Sequence, residues 1–235
     1  MEAGAIMRAM DLVERHVVIT GAAGGLGPAV VDAMLAAGAI CHLPVRADAD
    51  RVPRHARILA VEGVDLADEA AVTSFYARCP PLWASIHVAG GFKAALIADT
   101  SLADLRGQLD VNLATAFLCS REAVRNMRAK AAGGRIVNVS SRAATVATGF
   151  SVAYTASKAA VSAMVRALAD EVADDRILVN AVLPGTIDTP ANRAAMPDAD
   201  HRRWTKPAEI AAVIAWLVSP AQTVTSGALI PVGWT

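Results

Sequence analysis

The sequence predicts an α/β fold in which one domain, residues 1–235, is built on a doubly wound, mostly parallel seven-stranded sheet with helices on both faces. Three observations predict it. Short apolar runs alternate with helix-period stretches along the whole chain, an order that demands crossover connections and hence a parallel sheet. The 235 residues are 54% hydrophobic but only 4% aromatic, so the core must be made of Ala, Val, Leu and Ile, the palette of helices packed closely on parallel strands. A glycine-rich turn separates the first apolar run from the first helical stretch.

Residues His16 to Thr20 read as the first strand, Gly21 to Gly27 as the turn, and Pro28 to Ala37 as a helix whose leading proline suits the first helical turn. A second strand, Ala39 to Val45, and a third, Leu59 to Val64, precede a helix at Glu69 to Arg78. The fourth strand is Ala84 to Ala89. Helix-period stretches at Leu102 to Lys130 and Ala153 to Val172 flank a fifth strand, Arg135 to Ser140. Leu178 to Leu183 is the sixth, Pro207 to Val218 the last helix and Ala228 to Val232 the last strand. Between them, Thr189 to Lys206 reads as a long irregular insert, a candidate lid, because ligands of such sheets bind beyond the carboxyl ends of the strands.

Composition excludes several functions. With 22 basic and 22 acidic residues and a net charge of +0, the chain offers no basic stripe for nucleic acid. No apolar run approaches the roughly 20 residues needed to cross a bilayer, so no membrane partner is expected. The opening MEAGAIMRAMDLVERH contains acids and no long apolar run, unlike a secretory signal. Three widely spaced cysteines, Cys41, Cys79 and Cys119, fit neither a disulfide framework nor a zinc site. A cytoplasmic protein that uses no metal is expected.

Thr20-Gly21-Ala22-Ala23-Gly24-Gly25-Leu26-Gly27 lies where a strand passes into a helix, the place at which a pyrophosphate approaches backbone amides and the positive end of a helix dipole. Tyr154 and Lys158 are four residues apart in an Ala- and Leu-rich stretch, so they share a helical face. A phenol ionises near pH about 10 and a neighbouring ammonium favours its ionised form, which readies it for proton exchange. Only two tyrosines occur in the chain.

Taken together, these motifs resemble those of the short-chain dehydrogenase/reductase family over residues 12 to 232. The turn Thr-Gly-x-x-x-Gly-x-Gly, Ala89-Gly90, Asn112, Tyr154-x-x-x-Lys158 and Pro184-Gly185 stand in the family's order and spacing. The resemblance implies a Rossmann fold, a nicotinamide cofactor and hydride transfer to or from a small carbonyl or alcohol. It implies that Ser141, with Ser140 as the fallback, holds the substrate oxygen and that Tyr154 exchanges the proton. Lys158 would lower the tyrosine pKa and bind ribose, and Asn112 would bend its helix and hold a relaying water. Cofactor contacts would come from Gly21, Gly25, Leu26, Gly27, Asp65, Leu66, Ala89, Gly90, Pro184, Gly185, Ile187 and Thr189, besides Tyr154 and Lys158.

After the second strand such folds place an acid for NAD or a base for the NADP phosphate. Here Leu43-Pro44-Val45-Arg46 offers Arg46, so NADP is favoured over NAD, although Asp48 or Asp50 could swing in. Two departures stand out. His87-Val88 replace the family's usual two asparagines, which puts the bracing of the central strand in doubt and makes His87 a partly buried structural group, and the chain ends Pro-Val-Gly-Trp-Thr. A local likeness of Val182 to Trp204 and of Val88-Ala89-Gly90-Gly91 to dihydropteridine reductases gives one alternative function. A non-catalytic dinucleotide sensor gives another. The Ala- and Leu-rich helices suggest self-association as a homotetramer or homodimer.

Overall fold

A computed structural model describes residues 11–46, 52–131, 133–146 and 149–233. Seven strands, β1 (His16–Thr20), β2 (Ile40–Pro44), β3 (Ile58–Val61), β4 (Leu82–His87), β5 (Gly134–Val139), β6 (Ile177–Pro184) and β7 (Leu229–Val232), form one sheet in the order β3-β2-β1-β4-β5-β6-β7. Every pairing is parallel. From β1 the chain runs outward to β3 and then returns to lay β4 on the other side of β1. The resulting switch point lies between β1 and β4, where such sheets open a crevice for ligands.

Period-two alternation assigns each strand residue to a face. Val17, Ile19, Cys41, Leu43, Ile86 and Val137 pack under α1 (Gly27–Ala36) and α7 (Pro207–Val218), whereas Val18, Ile136, Val179 and Leu183 pack under α2 (Glu69–Ala77), α4 (Thr115–Arg128) and α5 (Val152–Glu171). Phe75 and Tyr76 of α2 are the largest fully buried side chains. The expected core of small and branched residues on both faces is what forms.

Four differences from the sequence expectations have physical causes. The helical stretch Leu102 to Lys130 is divided: α3 (Leu102–Leu109) passes through a π-turn at Asp110–Ala114 into α4. The cause is Asn112, whose side chain leaves the helix to bind another segment. Strand β3 ends at Val61, earlier than expected, because Gly63 turns the chain at φ +75°. The insert is not wholly irregular, since Thr189 caps a short helix α6 (Pro190–Ala195) through Asn192 N at 3.2 Å and a 3-10 turn follows at His201–Arg203.

The fourth difference concerns the central strand. His87 is fully buried rather than partly so, and it braces β4 in place of the family's asparagines. Its Nε2 lies 2.9 Å from Ser85 Oγ, and its Nδ1 lies 3.0 Å from Asn138 Oδ1 and 3.3 Å from Ser120 Oγ. Ser85 in turn meets the Tyr76 hydroxyl at 2.8 Å. Burial pushes the imidazole pKa down to about 4, so the ring is neutral in this network.

Candidate active site

The carboxyl ends of β1, β4, β5 and β6 open into one cavity of about 760 Å³. Its walls include Gly21, Gly25, Leu26, Ala89, Gly90, Ser141, Tyr154, Lys158, Pro184, Gly185, Ile187 and Thr189, twelve of the residues singled out from the sequence. Gly27 lies beneath it, where a β-carbon would strike Gly21 O at 2.2 Å. Arg46, Asp65 and Leu66 do not line it. Arg46 is exposed just past β2, its carbonyl bound by Gly63 N at 2.8 Å, and Asp65 caps its own turn through Ala67 N at 3.0 Å. Asp48 and Asp50 lie outside the described residues.

One end of the cavity is shaped by the glycine turn. Gly21 sits at φ +69°, a conformation open to glycine, and a β-carbon there would meet Ala89 N at 2.7 Å. Helix α1 begins with Leu26 at its N-cap and receives no side-chain cap, while Gly24, Gly25 and Leu26 face the cavity. An uncapped helix start beside a glycine turn fits an anionic diphosphate, because orphan amides and the helix dipole point at it. Thr189 closes over this turn with its methyl toward Gly25, its hydroxyl oxygen being engaged in capping α6.

The other end carries the hydroxyls and the amine. The Lys158 side chain is 5% exposed, and its Nζ donates to Val139 O at 2.9 Å at the end of β5. Gly90 makes room for it: a β-carbon there would lie 3.2 Å from Lys158 Nζ and 2.8 Å from Asn112 Oδ1. Asn112 accepts from Gly91 N at 3.1 Å and donates to Gly91 O at 2.9 Å and to Ser157 Oγ at 3.2 Å, while Ser157 Oγ donates to Tyr154 O at 2.7 Å. The buried amide thus ties the segment after β4 to α5 and bends its own helix. Of the two serines, Ser140 is committed inside the fold, donating to Lys158 O at 2.9 Å and lying 2.8 Å from Ser162 Oγ. Both serines line the cavity, and it is the Ser141 hydroxyl that acts on the Tyr154 phenol, favouring its ionised form.

Burial governs the electrostatics of the pair. It raises the Tyr154 pKa above its ordinary value, opposed by the Ser141 hydroxyl. The Lys158 amine is itself desolvated, which pushes its pKa down to about 8, and it donates to Val139 O. Residues missed in the sequence complete the lining. Phe92 packs edge-on against Tyr154 with ring centroids 4.8 Å apart, and Val146, Phe150, Met196 and Arg142 form the mouth. Phe92 lies two residues after Ala89-Gly90, a proximity that could have flagged it; the others lie on turns without a motif.

This sheet order, with a dinucleotide cradle at the switch point and a hydroxyl, phenol and amine beside it, defines a nicotinamide-dependent oxidoreductase of the Rossmann class. The short chain dehydrogenase family model matches residues 15–200, and the chain belongs to that family. It is similar to cis-4-hydroxycyclohexanecarboxylate dehydrogenase of Sinomonas cyclohexanicum, 34% identical over 93% of this chain and 95% of the relative. An Arabidopsis thaliana chloroplastic NADPH-dependent aldehyde reductase-like protein is 34% identical over 77% and 75%. A dehydrogenase/reductase from Sinorhizobium meliloti 1021 superposes with a TM-score of 0.87 at 27% identity, covering 97% of each chain. Among the described residues no helix is long and apolar enough to cross a membrane.

Proposed function

We propose that the protein interconverts a small carbonyl compound and its alcohol by a Ser141-Tyr154-Lys158 mechanism, with NADP preferred over NAD. The observation that carries this reading is that Ser141, Tyr154 and the buried Lys158 line the same cavity as the glycine turn. Bound there, the cofactor supplies the hydride. Ser141 holds the substrate oxygen, and Tyr154 delivers its proton to that oxygen in reduction or removes it in oxidation. Lys158 holds ribose hydroxyls, and Asn112 keeps the Gly90 and Gly91 backbone and α5 in register. A phenol whose pKa is raised by burial is protonated at neutral pH, the form that donates to a carbonyl oxygen.

Support for NADP is the exposed Arg46 at the end of β2, where an acid would serve NAD, together with the name of the Arabidopsis relative. The name of the Sinomonas relative supports a ring-borne alcohol or ketone as substrate. Neither a pterin reductase nor a non-catalytic sensor is favoured by a specific observation. Cytoplasmic location and self-association belong to the same reading, the latter supported by Phe117, 51% exposed beside a hollow formed with Leu109, Leu113 and Met164.

The test is Tyr154→Phe, which retains the ring and removes the exchangeable proton. Turnover of a ketone panel with NADPH falls by at least about 100-fold, while cofactor binding measured by fluorescence persists. Full activity in the variant would refute the assignment.

A further inference from the structure

We infer that the substrate carries a carboxylate as well as its reacting carbonyl or alcohol, on an apolar body, and that Arg142 is the residue that holds this carboxylate. The inference rests on the function proposed above and deepens it.

Two cations, Lys158 and Arg142, line the cavity, and among the described residues no Asp or Glu does. Lys158 is buried, its Nζ donating to Val139 O. Arg142 is half-buried at the substrate end, next in the chain to Ser141, and forms no ion pair among the described residues. Its backbone is fixed nonetheless. The carbonyl of Arg142 accepts from Thr145 N at 3.0 Å, Val146 N at 2.9 Å and Thr145 Oγ1 at 3.1 Å, and Ser141 Oγ accepts from Ala143 N at 3.2 Å. Arg142 thus lines the cavity from a 3-10 turn, with its guanidinium fork uncommitted among the described residues. A carboxylate matches that fork with two parallel hydrogen bonds.

The rest of the mouth selects the body of the substrate. Phe92, Val146, Phe150 and Met196 are 65%, 53%, 69% and 40% exposed and turn apolar surface toward the opening. Phe150 holds its place at some cost, since it lies at φ +65°, a region unfavourable for a bulky side chain, pinned where its carbonyl accepts from Ala95 N at 2.8 Å. Asn192, a polar residue of the insert that lines the cavity, donates from Nδ2 to Ile187 O at 2.8 Å. An apolar ring or chain with one anionic end would satisfy both the walls and the arginine.

The test compares reduction of 4-oxocyclohexanecarboxylate with that of its methyl ester, in the wild-type enzyme and in Arg142→Met, with NADPH. In the wild type kcat/KM favours the acid by at least about tenfold, carried mainly by KM, as expected for one charge-assisted pair. In Arg142→Met the preference falls below about threefold. A wild-type enzyme that turns over the ester as well as the acid, or a variant that keeps the full preference, overturns the carboxylate assignment while leaving the oxidoreductase reading intact.

A second measurement decides the matter if neither ketone is reduced, an outcome that counts against the proposed carbonyl chemistry. Cyclohexanecarboxylate is titrated into the NADPH complex with dihydronicotinamide fluorescence as the readout. Binding that weakens at least about tenfold in Arg142→Met supports the inference, and equal binding or none in the wild type overturns it.

Discussion

Tyr154 and Lys158 show why spacing finds a pair but cannot fix its electrostatics. Four residues on one helix bring both side chains to the cavity, yet each is governed by burial, which raises the phenol and lowers the amine to about 8. Below pH 8 the buried ammonium is charged at a cost to the fold that the unfolded chain, with a lysine pKa near about 10.4, does not bear. The cost disappears as pH rises from 8 through that value. Relative to Lys158→Met, the wild type therefore gains stability over this alkaline window, and chemical denaturation of both proteins at pH 7 and pH 10 measures it. A difference that does not change with pH would show that the amine is well solvated. Arg46 poses a simpler question at the same scale. Arg46→Asp removes the charge that would meet a 2′-phosphate and weakens NADP selectivity by about tenfold, read as the ratio of kcat/KM for the two cofactors.

Among the elements, the join between α3 and α4 and the brace on β4 were the least legible in the sequence. Asn112 was identifiable as a polar residue within a helical stretch, but a π-turn depends on Gly91 and Ser157, neither of which is near it in the chain. Gly90 is constrained by the same contact. In Gly90→Ala a methyl would press on Asn112 Oδ1 and Lys158 Nζ, so the variant loses about 1–3 kcal/mol of stability and most of its turnover, checked by denaturant unfolding beside the assay.

His87 could be recognised as a departure from the resemblance, whereas its partners Ser85, Ser120 and Asn138 converge only once β4 meets β5 and α4. Its pKa, lowered to about 4 by burial, stabilises the fold above the ordinary histidine value of about 6.5, and that stability is lost as pH falls toward 4. The share due to this ring is up to about 3 kcal/mol. His87→Asn should flatten the acid limb of the unfolding curve, and an unchanged limb would place the titration elsewhere, His42 being the other buried imidazole lowered to about 4.

At the scale of the whole molecule, the sheet and its switch point were the most legible part, since alternation of strand and helix leaves few topologies open. Strand and helix positions came out within a few residues because buried parallel strands read as continuous apolar runs. The mouth was not legible, because Arg142, Val146, Phe150 and Met196 lie on turns whose direction is set by tertiary contacts. The exposed Phe117 and the hollow it shares with Leu109, Leu113 and Met164 belong to this scale too. Sedimentation should give a dimer or tetramer, and Phe117→Asp should shift the population toward smaller species.

The insert between β6 and α7 is fastened at its two ends. Ile187 and Thr205 form a parallel bridge, Asp188 N donates to Thr205 O at 2.9 Å and Thr205 N to Thr186 O at 3.0 Å, while Thr205 Oγ1 donates to Val232 O at 3.4 Å. A segment buckled in this way behaves as an exchangeable cassette, since its interior can be rewritten while the clasp keeps its ends in register with the sheet. Relatives sharing this framework can thus diverge in what they accept by editing a dozen or so positions. Grafting another family member's residues between Pro190 and Arg203 should change substrate ranking while leaving the NADPH dissociation constant within about threefold.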